Sequence, residues 1–241
     1  MKTAKFLFLT LAIAIVSGIM TSCSKDESSD EPEQPTVKMV LTSLKGGYPS
    51  SHFYGVIFED AQYDKEGKII SYKDWDGKNV TYTYTSKSIT RKDSNGEIIL
   101  SLNSKGLITT NSYYESLNFQ YDSNNYLIND GTQSFQWENG NMVKEYDGYG
   151  YDSYTYTNYP NTISCFLNEL ESPLYFNYCD PFLMASGFYG IIPKNLVDKE
   201  YDDGELRGSF SYEFNSYGYP IKILIIGDPY IEEYFLEWET L

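Results

Sequence analysis

The chain predicts an all-β fold: an antiparallel meander bent into a strongly curved sheet or partly open barrel. Three observations point there. Beyond residue 37, apolar and aromatic residues alternate with polar ones at period two, the pattern of half-buried strands. Short turns rich in Gly, Asn and Asp separate these runs. Tyr makes up 25 of the 241 residues and aromatics 17%, a content that favours strands and argues against a disordered chain.

The first element is an address. Met1 to Lys5 is a short basic start, Phe6 to Val16 is apolar but for Thr10, and Ser17 to Ser22 leads into Cys23. This order predicts a signal peptide. Its apolar core falls well short of the ~20 residues that a spanning helix needs. Met20-Thr21-Ser22-Cys23 resembles a bacterial lipoprotein signal. That resemblance implies removal of residues 1–22 and acyl chains, palmitate among them, on Cys23. Several acyl chains hold a protein on a bilayer stably, where one would not. Ser24 to Pro35 is acidic, contains two prolines and has no aliphatic or aromatic residue, so residues 23–36 are expected to form a flexible tether. Cys23-Ser24-Lys25-Asp26-Glu27 also resembles the acidic export signal of surface lipoproteins. The expected location is therefore the outer membrane, lipid-anchored and facing outward. Membrane contact is expected through the anchor only.

Residues 37–241 are expected to form one all-β domain. Val80, Tyr82 and Tyr84 share one face, and so do Ile98, Leu100 and Leu102. The same holds for Leu117, Phe119 and Tyr121, and for Tyr154 and Tyr156. Phe210, Tyr212 and Phe214 follow, then Ile221, Ile223 and Ile225, and finally Tyr234, Leu236 and Trp238. One hairpin unit recurs as Tyr63-Asp64-x-x-Gly67, Tyr121-Asp122-x-x-Asn125 and Phe214-Asn215-x-x-Gly218. An aromatic ends one strand, a polar turn follows, and an aliphatic begins the next. The rhythm breaks at Cys179 to Pro193. There Asp180 caps a helical turn, Pro181 takes its first position and Gly187 ends it, which predicts a short helix within 180–190. Phe182, Leu183, Phe188 and Tyr189 are expected to plug the sheet.

These hairpins carry a resemblance, together with Gly187-Phe-Tyr-Gly190, Pro193-Lys-Asn-Leu196 and the closing Tyr234-Phe-Leu-Glu-Trp-Glu239. From about residue 37 to 241 the chain resembles a family of Gram-negative bacterial lipoproteins of unknown function with a porin-like β fold. The resemblance brings no catalytic residue and no ligand, and Cys165 and Cys179 are not part of its pattern. An inserted barrel needs an apolar outer band and aromatic girdles. Thr81, Thr83 and Thr85 oppose Val80, Tyr82 and Tyr84, and Glu213 and Lys222 interrupt other faces, which suits water better. Cys165 and Cys179 are read as free thiols in preference to a disulfide, since Cys165 alternates with Ile163 and Leu167.

Charge and composition narrow the function. Eighteen Lys and Arg against 34 Asp and Glu give a net −16, which disfavours nucleic acid as a partner. The one histidine, His52, excludes a two-histidine metal site, and no nucleophile motif surrounds it. Asp202-Asp203-x-Glu205 and Glu232-Glu233 read as a turn and a solvated strand end. Asp74 with Asp76, and Asp202 with Asp203, offer oxygens to calcium but lack EF-hand spacing, so no metal is assigned. No cofactor and no enzymatic role are expected. Exposed Tyr and Trp suit sugar rings and protein hot spots. The candidates are Trp75, Tyr146, Tyr149, Tyr151 and Tyr154. The expected role is a surface-anchored, non-catalytic structural or protein-interaction module. The alternative is a glycan-binding lipoprotein beside a nutrient-uptake system, which an exposed groove at Trp75 or at Tyr146–Tyr156 would favour.

Overall fold

The computed structural model describes residues 37–49, 54–164, 180–227 and 231–241. The signal peptide, Cys23, the tether, His52, Cys165 and Cys179 lie outside the described residues. Among the described residues the domain has sixteen strands and one helix. The strands are β1 (Met39–Gly47), β2 (Gly55–Tyr63), β3 (Ile69–Asp74), β4 (Asn79–Tyr84), β5 (Ser88–Asp93) and β6 (Gly96–Leu102). Next come β7 (Ile108–Asn111), β8 (Gln120–Tyr121), β9 (Leu127–Asn129), β10 (Ser134–Glu138) and β11 (Asn141–Tyr146). The last are β12 (Tyr151–Pro160), β13 (Asn195–Asp202), β14 (Glu205–Phe214), β15 (Pro220–Gly227) and β16 (Ile231–Thr240), with one short helix, α1 (Pro181–Ala185), between β12 and β13.

The expected meander is present. Sequential strands pair antiparallel, except β7 with β8, and β1 pairs with β16, so the sheet runs from β7 back to β1 and on from β16 back to β8. The two edges nearly meet. Thr110 and Asn118 form one antiparallel bridge, and Phe119 N–H donates to the Thr109 carbonyl at 2.9 Å. The result is a nearly closed barrel with one unsealed seam. The segment after α1 lies along that seam: Ile108 N–H donates to the Phe188 carbonyl at 2.9 Å, and Ile191 N–H to the Asn125 carbonyl at 3.0 Å. Gly190 there has φ 81°, and a Cβ would run into the Asn125 carbonyl oxygen, so only glycine lets the two chains approach.

A sixteen-strand barrel is wide and must be filled. Strand residues such as Leu44, Ile69, Ile89 and Ile223 are fully buried. The plug expected from the sequence supplies the rest. Phe182 packs against Phe58 and Tyr72, with ring centroids 4.6 and 4.7 Å apart. Phe188 stacks on Tyr84 at 5.6 Å, and Tyr189 meets Phe119 edge-on at 5.3 Å. Asp180 caps α1 by accepting from Phe182 and Leu183 N–H at 3.0 and 3.2 Å. One expectation needs correction. Ile221 does not share a face with Ile223, being exposed where Ile223 is buried. A bulge between Glu213 and Phe214 pairs them with Lys222 and Pro220, which leaves Ile221 unpaired and turned outward.

An up-and-down meander of sixteen strands places the start of β1 and the end of β16 at one rim, called here the near end, with the turns after odd strands at the far end. Five near- and far-end turns share one construction. Asp64, Asp74, Asn103, Asp122 and Asn215 each accept from the N–H groups two and four residues on, at 2.8–3.0 Å. This is why Asp or Asn opens the hairpin unit.

The aromatic that precedes the turn has an equally repeated task. Near the start of an odd strand a bulge or register break frees one carbonyl, and a side chain at the end of the next strand donates to it. Tyr63 Oη reaches Leu41 O at 2.6 Å, Tyr84 reaches Ile69 O at 2.7 Å, and Tyr121 reaches Ile108 O at 2.8 Å. Trp137 Nε1 reaches Leu127 O at 2.7 Å, Tyr212 reaches Val197 O at 2.7 Å, and Trp238 Nε1 reaches Pro220 O at 2.6 Å. Tyr156 does the same to Met142. Each such bond contributes about 1 kcal/mol and leaves no buried carbonyl orphaned. Much of the tyrosine content therefore belongs to the fold.

Candidate functional site

The far end of β11–β14 is where charge enters the barrel. In β11 a bulge pairs Gln136 with Lys144 and Trp137 with Met142. Met142 and Glu145, three residues apart, are thereby both buried. In β13 the same happens, because Thr155 pairs with Lys199 and Tyr156 with Val197, so that Val197 and Glu200 both follow the inward face of β12. A third bulge, between Glu200 and Tyr201, sets Arg207 opposite them. Bulges re-aim side chains and concentrate near functional sites.

They bring a compact acidic constellation together. Glu145 lies directly across from Asp152, Asp152 from Asp202, and Tyr154 from Glu200. Tyr154 Oη donates to Glu145 Oε2 at 3.3 Å, and Arg207 donates to Glu200 Oε1 at 3.2 Å. Burial pushes the Glu145 carboxyl up to about 7, with the Asp152 charge adding to it. Burial also raises Glu200 and Asp152, with Arg207 opposing in both cases. Arg207 is itself raised, chiefly by Glu200.

Above these groups opens a polar cleft of about 390 Å³, lined by Glu145, Asp152, Asp202, Asp203, Arg207 and the 147–151 turn. Asp147 holds that turn by accepting from Tyr149 and Gly150 N–H at 2.8 and 3.0 Å. Asp203 ties it to the β13–β14 turn, accepting from Tyr151 N–H at 3.0 Å. Among the described residues no group of three or more acidic, His or Cys side chains is arranged to hold a metal ion.

The aromatic candidates divide. Tyr149 is 98% exposed at the cleft mouth. Tyr151 lies at the rim, with Lys144 Nζ 4.5 Å from its ring centroid. Tyr146 is exposed on the strand paired with it. Tyr154 is buried and serves Glu145 instead of presenting a face. Trp75 is exposed in the β3–β4 turn, also at the far end but seven strands away through β1 and β16. Glu232 is a further correction. It is buried, and its Oε2 accepts from Tyr234 Oη at 2.8 Å, because it shares the inward face of β16 with Tyr234. Sequence reasoning passed over Glu145, Asp152, Glu200 and Arg207.

Fold and site together define a class: a filled, up-and-down β-barrel with an acidic cleft at one end. Similar solved structures include two porin-like proteins. A porin-like protein from Bacteroides uniformis ATCC 8492 matches 86% of this chain and 99% of its own, at 14% identity and a TM-score of 0.62. A porin-like protein from Bacteroides vulgatus ATCC 8482 matches 83% of this chain and 99% of its own, at 15% identity and a TM-score of 0.55. At such identities the likeness is one of fold. No family model matches the chain, and no curated protein matches it.

Proposed function

We propose that this protein is a surface lipoprotein, anchored through Cys23, that binds a glycan in the far-end cleft without transforming it. The observation that carries this reading is the pairing of an exposed ring, Tyr149, with a polar cleft of sugar size. Carboxylates accept from sugar hydroxyls, Arg207 donates, and the ring supplies an apolar platform. The excess of acids over the one arginine disfavours acidic glycans and suits neutral or amino sugars. The cleft lies at the rim opposite the start of β1, roughly 30 Å along a ten-residue strand. A purely structural module is the reading that burial of all the rings would favour, and only Tyr154 among the candidates is buried.

A glycan array probed with the mature chain carrying Cys23→Ser tests it. Neutral glycans are expected to bind, with about three- to tenfold weakening on Tyr149→Ala and no change on Trp75→Ala. Silence across the array would return the structural-module reading.

Polarity supports an anchored, uninserted barrel. Its outer face carries cross-strand ion pairs, Lys73 with Asp60 at 2.6 Å, Lys92 with Glu97 at 3.0 Å and Lys222 with Glu233 at 2.5 Å. A Lys or Arg facing lipid near the bilayer midplane costs about 2–4 kcal/mol. The Cys23→Ser chain is therefore expected to stay folded without detergent, while mass spectrometry of the native protein finds an acylated Cys23 at its N-terminus. A folded product obtained only in detergent would favour insertion.

A further inference from the structure

We propose that the near end of the barrel holds a second binding site, for an amphipathic monoanion: an apolar body ending in a carboxylate. It is separate from the glycan cleft, since Asp152 lines that cleft at the start of β12 and Asn161 lines this site just past its end.

The site is a cavity of about 400 Å³ between β1, β2, β16 and α1. That volume falls in the roughly 300–1,000 Å³ range of small-molecule pockets. Its walls include Leu41, Phe58, Phe182, Tyr219 and Trp238. The polar atoms of the aromatic walls are already engaged with backbone. Trp238 Nε1 donates to Pro220 O at 2.6 Å, and Tyr219 Oη donates to Val37 O at 3.0 Å while accepting from Met39 N–H at 3.2 Å. What these rings offer an occupant is apolar surface held in place by the sheet, while Asn161, Thr162, Ser164 and Ser186 add polar atoms to the rest of the lining. The ring surface suits an apolar body.

The mouth supplies the charge. Lys38, Lys68 and Glu66 line it together. Lys68 Nζ is paired with Glu66 Oε2 at 2.8 Å. Lys38 Nζ donates only a long, exposed bond to the Glu66 carbonyl, 3.4 Å, and no acid among the described residues pairs with it. A lysine with no acid partner among the described residues, beside a cavity with aromatic walls, favours a ligand that brings its own negative charge. One such ammonium matches one carboxylate. A dianion would meet the Glu66 charge as well. Ala185 lines the cavity and is exposed among the described residues.

The test is calorimetric titration of dodecanoate into the mature chain carrying Cys23→Ser. Saturable one-to-one binding is expected. Ala185→Trp, which places an indole in the mouth from an exposed position, is expected to weaken it at least tenfold. Lys38→Gln is expected to weaken dodecanoate about fivefold and to leave dodecanol unchanged. A second readout does not depend on the blocking variant. Bromine-labelled dodecanoate is expected to quench tryptophan emission, and Trp238→Phe to remove the quenched component. No binding of dodecanoate, undiminished binding by a folded Ala185→Trp, or quenching that survives Trp238→Phe overturns the site. Equal weakening of dodecanoate and dodecanol by Lys38→Gln overturns the anion.

Discussion

Replacing Asp180 by Ala is expected to destabilise the barrel by about 3–5 kcal/mol, the usual cost of removing one partner from a buried charge pair. Asp180 is 4% exposed and sits where three structures meet. It caps α1 through two backbone N–H groups. It accepts from Tyr82 Oη at 2.6 Å, and its Oδ2 lies 3.9 Å from Arg91 Nε. Burial raises its pKa, with Arg91 and the hydrogen bonds opposing. Arg91 is also 4% exposed and keeps Asp93 as a partner. Alanine removes the cap, strands the Tyr82 hydroxyl and leaves Arg91 with one acid fewer. For a domain of this size the loss corresponds to a fall in Tm of roughly 6–20 °C. Asp180→Asn, which keeps one oxygen for the cap but sets an amide N–H where Oδ2 accepts from Tyr82, is expected to lose less than Ala. Thermal unfolding of both variants decides it, and an Ala variant within about 2 °C of wild type would remove α1 from the structural core.

Glu145→Gln is expected to act in the opposite sense, with a gain that grows as pH rises from 4.5 and is complete above about 7. The folded carboxyl titrates near 7, against an ordinary value of 4.5. Between those values the folded chain holds a proton that the unfolded chain has released. Stability therefore falls as pH rises through that window, and the whole cost is present above it. A shift of this size corresponds to about 3 kcal/mol. Glutamine keeps an acceptor for Tyr154 and removes the charge, so urea unfolding at about pH 8 should show a gain approaching that figure. The gain should vanish near pH 4.5, where both side chains are neutral. A stability difference independent of pH would mean that Glu145 is solvated, and the cleft would lose its deepest acid.

The effect also separates structure from function. Glu145 is a poor residue for a barrel interior and an apt one for a polar cleft. Its replacement should stabilise the fold while weakening any glycan held there.

Much of the architecture was legible in the order of residues. Period-two alternation places Val80, Tyr82, Leu100, Tyr234 and Leu236 inside, and the structure buries them. Asp or Asn two and four residues before the N–H groups it accepts from specifies a hairpin locally, without reference to the rest of the chain. Asp180-Pro181 announced α1 by the same local logic of a cap and a fixed φ. These are short-range effects, and short-range effects are written in short stretches of sequence.

The site was not written that way. Glu145 follows Lys144 and Val143, and simple alternation from Met142 turns it toward water. The bulge that turns it inward is defined only by the register of β11 against β10, as that of Glu200 is by β13 against β12. A one-residue slip exchanges the two faces of a strand. Likewise the tyrosines are equivalent in sequence, yet Tyr154 is buried on Glu145 and Tyr149 stands in solvent. Local sequence determined strands, turns, cap and meander, because those depend on neighbours along the chain. Which carboxylates gather at one rim and which rings stay free were decided by the nearly closed sheet, because register and curvature are relations between strands.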